Sequence, residues 1–212
     1  MKKHTFYSLF IVVLFLTFSC ADKKHNSETT EKQKEVLKNY VVDTQNSVIN
    51  WTAYKTTQKI PVKGVFKKVV IINSKPATSN SELLNGLEFE IPVASIFSKD
   101  SLRDYKLTTF FFGVMKNTLR LKGTINIQEN NNGFVALTMN GLTKNMPFTY
   151  HINNNSIELN AVMNLDNWQA QTAVEALNKV CEDKHKAGDG ISKTWSEVAL
   201  NIQIKTSLVK QK

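Results

Sequence analysis

A chain of 212 residues, 42% of them hydrophobic, is long enough to bury one sizeable core and suits a single domain. Its 27 basic and 18 acidic residues give a formal charge of +9, but Arg103 and Arg120 are the only arginines and no patch interleaves basic residues with aromatics. Nucleic acid is therefore not expected as a partner.

Residues 1–19 read as an export signal. Lys2 and Lys3 supply the positive start, and Tyr7 to Phe18 is an apolar run of roughly a dozen residues, short of the ~20 that a membrane-spanning helix needs. The run closes on Leu16-Thr17-Phe18-Ser19-Cys20, which resembles a lipobox, so cleavage before Cys20 and lipidation of that residue are expected. Several acyl chains, at ~0.8 kcal/mol per buried methylene, hold a protein on a membrane stably. Loss of Lys2 and Lys3 leaves a charge of about +7, read as a solvated Lys-rich surface. With Cys20 modified, only Cys181 remains, so no intramolecular disulfide forms and stability must come from the core. The expected location is the bacterial cell envelope, lipid-anchored and facing the periplasm or the cell surface.

Residues 20–39 continue as ADKKHNSETTEKQKEVLKN after Cys20, polar, charged with both signs and without an aromatic residue. Such a stretch cannot bury enough apolar surface to fold alone, and reads as a flexible tether reaching roughly 25 Å.

The folded domain is expected over residues 40–212, where the hydrophobic period becomes two. Val48–Tyr54, Val62–Ile72 and Leu87–Val93 are the first candidate strands. Thr118–Gln128 is the cleanest, with Leu119, Leu121, Ile125 and Ile127 on one face and Arg120, Lys122, Thr124 and Asn126 on the other. Phe134–Asn140, Met146–Ile152, Ser156–Asn164 and Glu197–Ser207 complete eight. Asn130-Asn131-Asn132-Gly133 and Asn153-Asn154-Asn155 punctuate the runs with residues that tolerate the positive φ of tight hairpins. Short hairpins favour an all-β, antiparallel meander, and about eight strands close into a small lipocalin-like barrel without exposed edges. Two stretches break the pattern. Ser98–Thr109 reads as a short helix, and Asp166–Lys186 as a longer one with Ala170, Ala173, Val174, Leu177 and Val180–Cys181 on one stripe, stopped by Gly188 and Gly190.

Four segments together resemble the YceI-like (lipid/polyisoprenoid-binding) family. They are YVVDTQNSVINWTAYK with VKGVFKKVVI (Tyr40 to Lys55, Val62 to Ile71), VASIFSKDSLRDYKLTTFFF (Val93 to Phe112), LTMNGLTKNMPFTY (Leu137 to Tyr150) and CEDKHKAGDGISKTWSEVAL (Cys181 to Leu200). The last is similar to the ending of a lipoprotein branch of that family. The chain departs from the pattern at Phe97-Ser98, where a Thr is usual after Ser-Ile, and at Gly113-Val114-Met115-Lys116, which lacks an acidic residue and a Pro. The resemblance implies an extended antiparallel barrel with a long isoprenoid-type lipid inside it.

An eight-stranded barrel is just wide enough to fill with side chains or to hold one ligand. Trp51, Phe66, Phe89, Leu119 and Leu121 are candidates to face the ligand, as are Phe134, Met139, Met163 and Ile202. Phe110, Phe111 and Phe112 are an apolar cluster that reads as a ligand-facing lid or as ordinary core, and Arg103, beside Asp104, could hydrogen-bond an oxygen at the ligand's polar end or form a surface ion pair. Cys181 and His185, four apart on a helix, share a face with Asp189 close behind, and with His151 they raise the alternative of a metal-dependent enzyme. No glycine-rich phosphate loop, nucleophile elbow or acid–base carboxylate pair is present. The reading is a non-catalytic carrier or sequestering protein for an amphiphilic lipid, needing no cofactor beyond that lipid. The other alternative is a structural or stress-response lipoprotein whose barrel is filled by its own side chains. Membrane contact runs through the anchor, and a homodimer is left open.

Overall fold

The alternating runs form one antiparallel sheet within residues 39–209, which the computed structural model describes. The signal segment, Cys20 and all of the tether before Asn39 lie outside the described residues. The strands are β1 (Tyr40–Lys55), β2 (Ile60–Phe66), β3 (Val70–Ile71), β4 (Glu88–Pro92) and β5 (Ile96–Phe97), then β6 (Arg120–Ile127), β7 (Asn132–Met139), β8 (Leu142–Asn153), β9 (Ser156–Asn164) and β10 (Thr194–Leu208). Their hydrogen-bonded order is β3-β4-β6-β7-β8-β9-β10-β1-β2-β5.

The two ends of that order meet. β2 and β3 are halves of one run bent at 67–69, and β4 and β5 are halves of another bent at the single turn Val93–Ser95. β2 pairs with β5 and β3 with β4, while the Lys67 N–H donates to the Ser95 carbonyl (2.9 Å) across the bend. Counted as continuous runs the strands number eight, and they close into a barrel as the sequence pattern predicts. The bends supply the coiling that a flat strand pair lacks.

Pairing puts like faces together. Tyr150, Leu159, Ile202, Ile49, Phe66 and Ile96 stand in one inward row crossing β8, β9, β10, β1, β2 and β5. One step along the strands, Asn132, Thr149, Asn160, Asn201 and Asn50 form an outward polar row, in which Asn201 Nδ2 donates to Asn160 Oδ1 (2.8 Å). This is the period-two alternation of the sequence wrapped into a cylinder.

Three inward glycines make room for aromatic rings on the strands they pair with. A Cβ on Gly64 would sit 2.2 Å from Trp51 Cζ2, one on Gly123 2.6 Å from Phe89 Cζ, and one on Gly133 2.4 Å from Phe148 Cζ. Each ring occupies the space that a side chain on the paired glycine would take, so large and missing side chains alternate across neighbouring strands. In β1 an irregularity between Asp43 and Val48 is held by Asp43, whose carboxylate accepts from the N–H groups of Gln45 and Asn46.

Helices close the ends. α1 (Asn80–Leu84) was not foreseen in the sequence. It starts at Ser79, whose hydroxyl accepts from Glu82 N–H (3.1 Å), and it packs against β1 and β6 with Leu84 fully buried. At the other end lie α2 (Ser101–Lys106), a wider π-helical turn at Leu107–Phe111, α3 (Gln171–Val180) and α4 (Glu182–His185). The single helix expected over 166–186 is thus divided. Gln169 takes a left-handed conformation (φ 53°) after the turn Leu165–Trp168, where Asn140 Nδ2 donates to the carbonyls of Trp168 and Gln169. Cys181, at φ −113°, separates α3 from α4.

The tight Trp51–Gly64 contact gives a direct expectation. Gly64→Ala should lower stability by about 1–3 kcal/mol, because the added methyl must displace the indole or spread two strands. Chemical denaturation checks this; an unchanged midpoint would mean the ring moves aside freely.

Candidate functional site

Three adjoining cavities run along the barrel axis. The innermost, about 100 Å³, is lined wholly by apolar atoms from every strand but β5 and from the turns beside them, among them Ile49, Phe89, Ile125, Val135 and Ile202. Phe66 and Leu200 separate it from a second cavity of about 100 Å³, bounded by Phe111, Phe112, Met139, Met163 and Val174. Trp51, Ala53, Leu107, Leu177 and Thr194 line both this cavity and a third, of about 350 Å³, which opens between α2 and α3–α4. Tyr40 and Leu208, where the chain enters and leaves the barrel, pair at the opposite end, clear of this mouth.

The mouth differs in character from the interior. Lys55, Lys106, Lys184 and Arg103 line it, and among the described residues Asp100 is its only carboxylate. Two of the ammonium groups are fixed by main-chain carbonyls: Lys55 Nζ donates to Lys184 O (3.1 Å) and Lys106 Nζ to Val180 O (2.6 Å). Carbonyls hold these groups in place without neutralising them, so their charge remains directed at the cavity. His185 responds to that field. Burial, with Lys55 and Lys106 nearby, pushes its pKa down to about 4. Its Nδ1 lies 2.7 Å from Thr194 Oγ1, which donates to Asn178 Oδ1 (2.8 Å). Burial raises the Cys181 thiol pKa against the opposing pull of the same two lysines.

The π-helical turn explains how three consecutive phenylalanines divide. The Phe112 N–H reaches back to Leu107 O, so the widened turn brings Leu107, Phe111 and Phe112 onto the barrel side. Phe111 and Phe112 meet edge to face at 4.8 Å between centroids, and Phe112 meets Phe66 at 6.3 Å. Phe110 rests instead against Tyr105, outside the cavities.

Of the residues singled out in the sequence, Trp51, Phe66, Phe89, Phe111, Phe112, Met139, Met163 and Ile202 line the interior and Arg103 lines the mouth. Leu121 is buried in the core but lines none of the three cavities. Leu119 is corrected: it is 77% exposed, because β6 begins one residue later and Thr118 turns inward in its place. Phe134 also falls outside the interior, since Gly133, Val135, Leu137 and Met139 take the inward parity of β7. Arg103 and Asp104 do not pair with each other; Arg103 Nε donates to Ser98 Oγ (2.9 Å) and Ser98 Oγ donates to Asp104 (2.6 Å). Cys181 and His185 share the mouth, but Asp189 instead accepts from Thr57, and His151 stands exposed on β8. Among the described residues no group of three or more His, Cys, Asp or Glu is placed to hold a metal ion. Lys55 and Lys106, the best-fixed charges of the mouth, carry no signal in one dimension.

Comparison with known proteins agrees with this fold. A family model described as YceI-like domain matches residues 40–206. The chain is similar in structure to a polyisoprenoid binding domain from Saccharophagus degradans implicated in plant cell wall breakdown, with TM-score 0.59, 10% identity and coverage of 80% of this chain and 98% of that one. It also matches Burkholderia cenocepacia BcnA (TM-score 0.46, 16% identity, 78% and 99% covered) and a Campylobacter jejuni YceI protein (TM-score 0.46, 17% identity, 71% and 86% covered). No curated protein matches.

The depressed pKa of His185 sets a pH dependence. Between about pH 6.5 and pH 4 the unfolded chain binds a proton at this residue that the folded protein does not, so folding stability falls as pH drops through that window. His185→Gln should flatten this part of the stability profile. Thermal melts at pH 7, 5.5 and 4.5 check it, and an equal slope in both proteins would contradict the assignment.

Proposed function

Because the chain belongs to the YceI-like family, we propose that it binds an amphiphilic lipid of isoprenoid type inside its barrel without catalysing a reaction on it. The observation that carries this reading is the change of chemistry along the axis, from a wholly apolar inner cavity to a mouth lined by lysines. An apolar chain gains by burial at roughly 25 cal/mol per Å², and a polar or anionic head gains from ammonium groups that carbonyls position but leave charged. The mouth, at about 350 Å³, falls within the ~300–1,000 Å³ usual for small-molecule sites. The polyisoprenoid-binding description of the Saccharophagus degradans domain supports the same class of ligand.

The sequence supports an address. The lipobox-like Leu16 to Cys20 favours a lipid-anchored protein of the bacterial envelope, which would serve as a carrier or reservoir near its lipid source. A second reading rests on the interior cavities, which measure only about 100 Å³ each and are parted by Phe66 and Leu200. On that reading the barrel is a structural or stress-response module filled by its own side chains.

Native mass spectrometry separates the two. The Cys20→Ser chain, exported to the periplasm and purified gently, should carry a discrete added mass that organic extraction identifies as a prenyl alcohol, prenyl phosphate or quinone. Bare polypeptide, even after incubation with envelope lipids, would favour the filled barrel. A second expectation concerns chain length. Ile202→Phe, which fills the innermost cavity, should weaken geranylgeraniol binding more than about tenfold and leave geraniol binding unchanged. Equal effects on both alcohols would place the chain elsewhere.

A further inference from the structure

The protein has three tryptophans, and their indole N–H groups are treated differently. Trp168 Nε1 donates to Leu137 O (2.9 Å) and Trp195 Nε1 to Thr56 O (2.8 Å). Trp51 is buried too, at 6% exposure, yet its Nε1 has no partner among the described residues. An indole nitrogen is donor only and cannot be satisfied by rotating a hydroxyl or flipping an amide, and buried donors are almost always paired. Among the described residues three other buried polar atoms are also unpaired, Thr56 Oγ1, Asn80 Oδ1 and Thr206 Oγ1, but none of these residues lines the three cavities. Trp51 lines two of them, at the neck between the mouth and the interior. The Cε2–Cζ2 edge of its ring lies over Gly64, where no side chain stands.

We propose that Trp51 is a specificity-determining residue whose Nε1–H donates to an acceptor oxygen at the head of the bound amphiphile, a role that rests on the lipid-binding reading above. The other residues shared by the two cavities offer no competing donor. Ala53, Leu107 and Leu177 are apolar, and the Thr194 hydroxyl is engaged with Asn178 and His185. An oxygen at the neck places the hydrocarbon chain in the interior and whatever lies beyond the oxygen among Lys55 and Lys106. The ligand class is then a prenyl chain that begins with an alcohol, ether, ester or carbonyl oxygen. A plain hydrocarbon of the same length leaves the donor unpaired and is selected against.

The test uses the full chain carrying Cys20→Ser, labelled with nitrogen-15 at its indoles, and two probes of like chain, geranylgeraniol and the matching hydrocarbon without the hydroxyl. Geranylgeraniol should move one indole N–H resonance downfield, the one missing in Trp51→Phe, while the Trp168 and Trp195 signals stay fixed as internal references. Wild-type protein should bind the alcohol about tenfold tighter than the hydrocarbon, and Trp51→Phe should bind both with the hydrocarbon's affinity. An equal loss of affinity for both probes would assign Trp51 to packing alone and overturn the proposal. So would a Trp51 resonance that shifts alike with either probe. Uptake of neither probe by wild-type protein would overturn the lipid reading itself and the proposal with it.

Discussion

An aromatic ring laid across a glycine of the paired strand is the contact on which this barrel depends. Trp51 over Gly64, Phe89 over Gly123 and Phe148 over Gly133 put bulk and its absence side by side on neighbouring strands. The strands can then approach at hydrogen-bonding distance while large rings occupy the interior. Were each glycine replaced by an ordinary residue, the interior would be overfilled and the strands forced apart. The same pairs shape the remaining space, since Phe89 borders the inner cavity and Trp51 forms the neck.

The mouth follows from a second constraint, the need to close a barrel end without filling it. α2 and α3–α4 stand on two sides of the opening, bridged by Lys106 through the Val180 carbonyl, while Lys55 reaches from the end of β1 to the Lys184 carbonyl. Carboxylate partners would have made the opening electrically neutral. Carbonyl partners keep two positive charges there, and they add to the burial that holds the pKa of His185 low. Structure, charge and the proposed chemistry therefore meet at one end of the molecule, while both ends of the described chain meet at the other.

The fold was legible because period two survives in nearly every strand. Ser156–Asn164 matches β9 residue for residue, and the turns at Asn130–Asn131 and Asn154 adopt the positive φ that their residue types suggest. Misreadings came where local geometry cancels parity. Leu119 looked inward because it shares parity with Leu121, but strand pairing starts after it. Phe134 and Met139 differ in parity within one strand, so both could not face inward, and the smaller Val135 and Leu137 hold the interior with Met139. The phenylalanine cluster needed a π-helical turn to divide as it does, which no pattern of spacing announces. α1 was recoverable, since Ser79 and Glu82 have the spacing of a helix-capping pair. The charges of the mouth were not, because Lys55, Lys106 and Lys184 come together only when β1 ends beside two helices from distant parts of the chain.

The most direct test of the central claim is methyl-resolved magnetic resonance of the Cys20→Ser chain with a prenyl amphiphile bound. Chain inside the barrel predicts nuclear Overhauser contacts from the prenyl methyls to Ile125, Leu200 and Ile202, with none to the outward Leu119 and Val162. Contacts confined to outward methyls, with the interior resonances unmoved, would contradict it and leave the barrel as a core packed for its own stability.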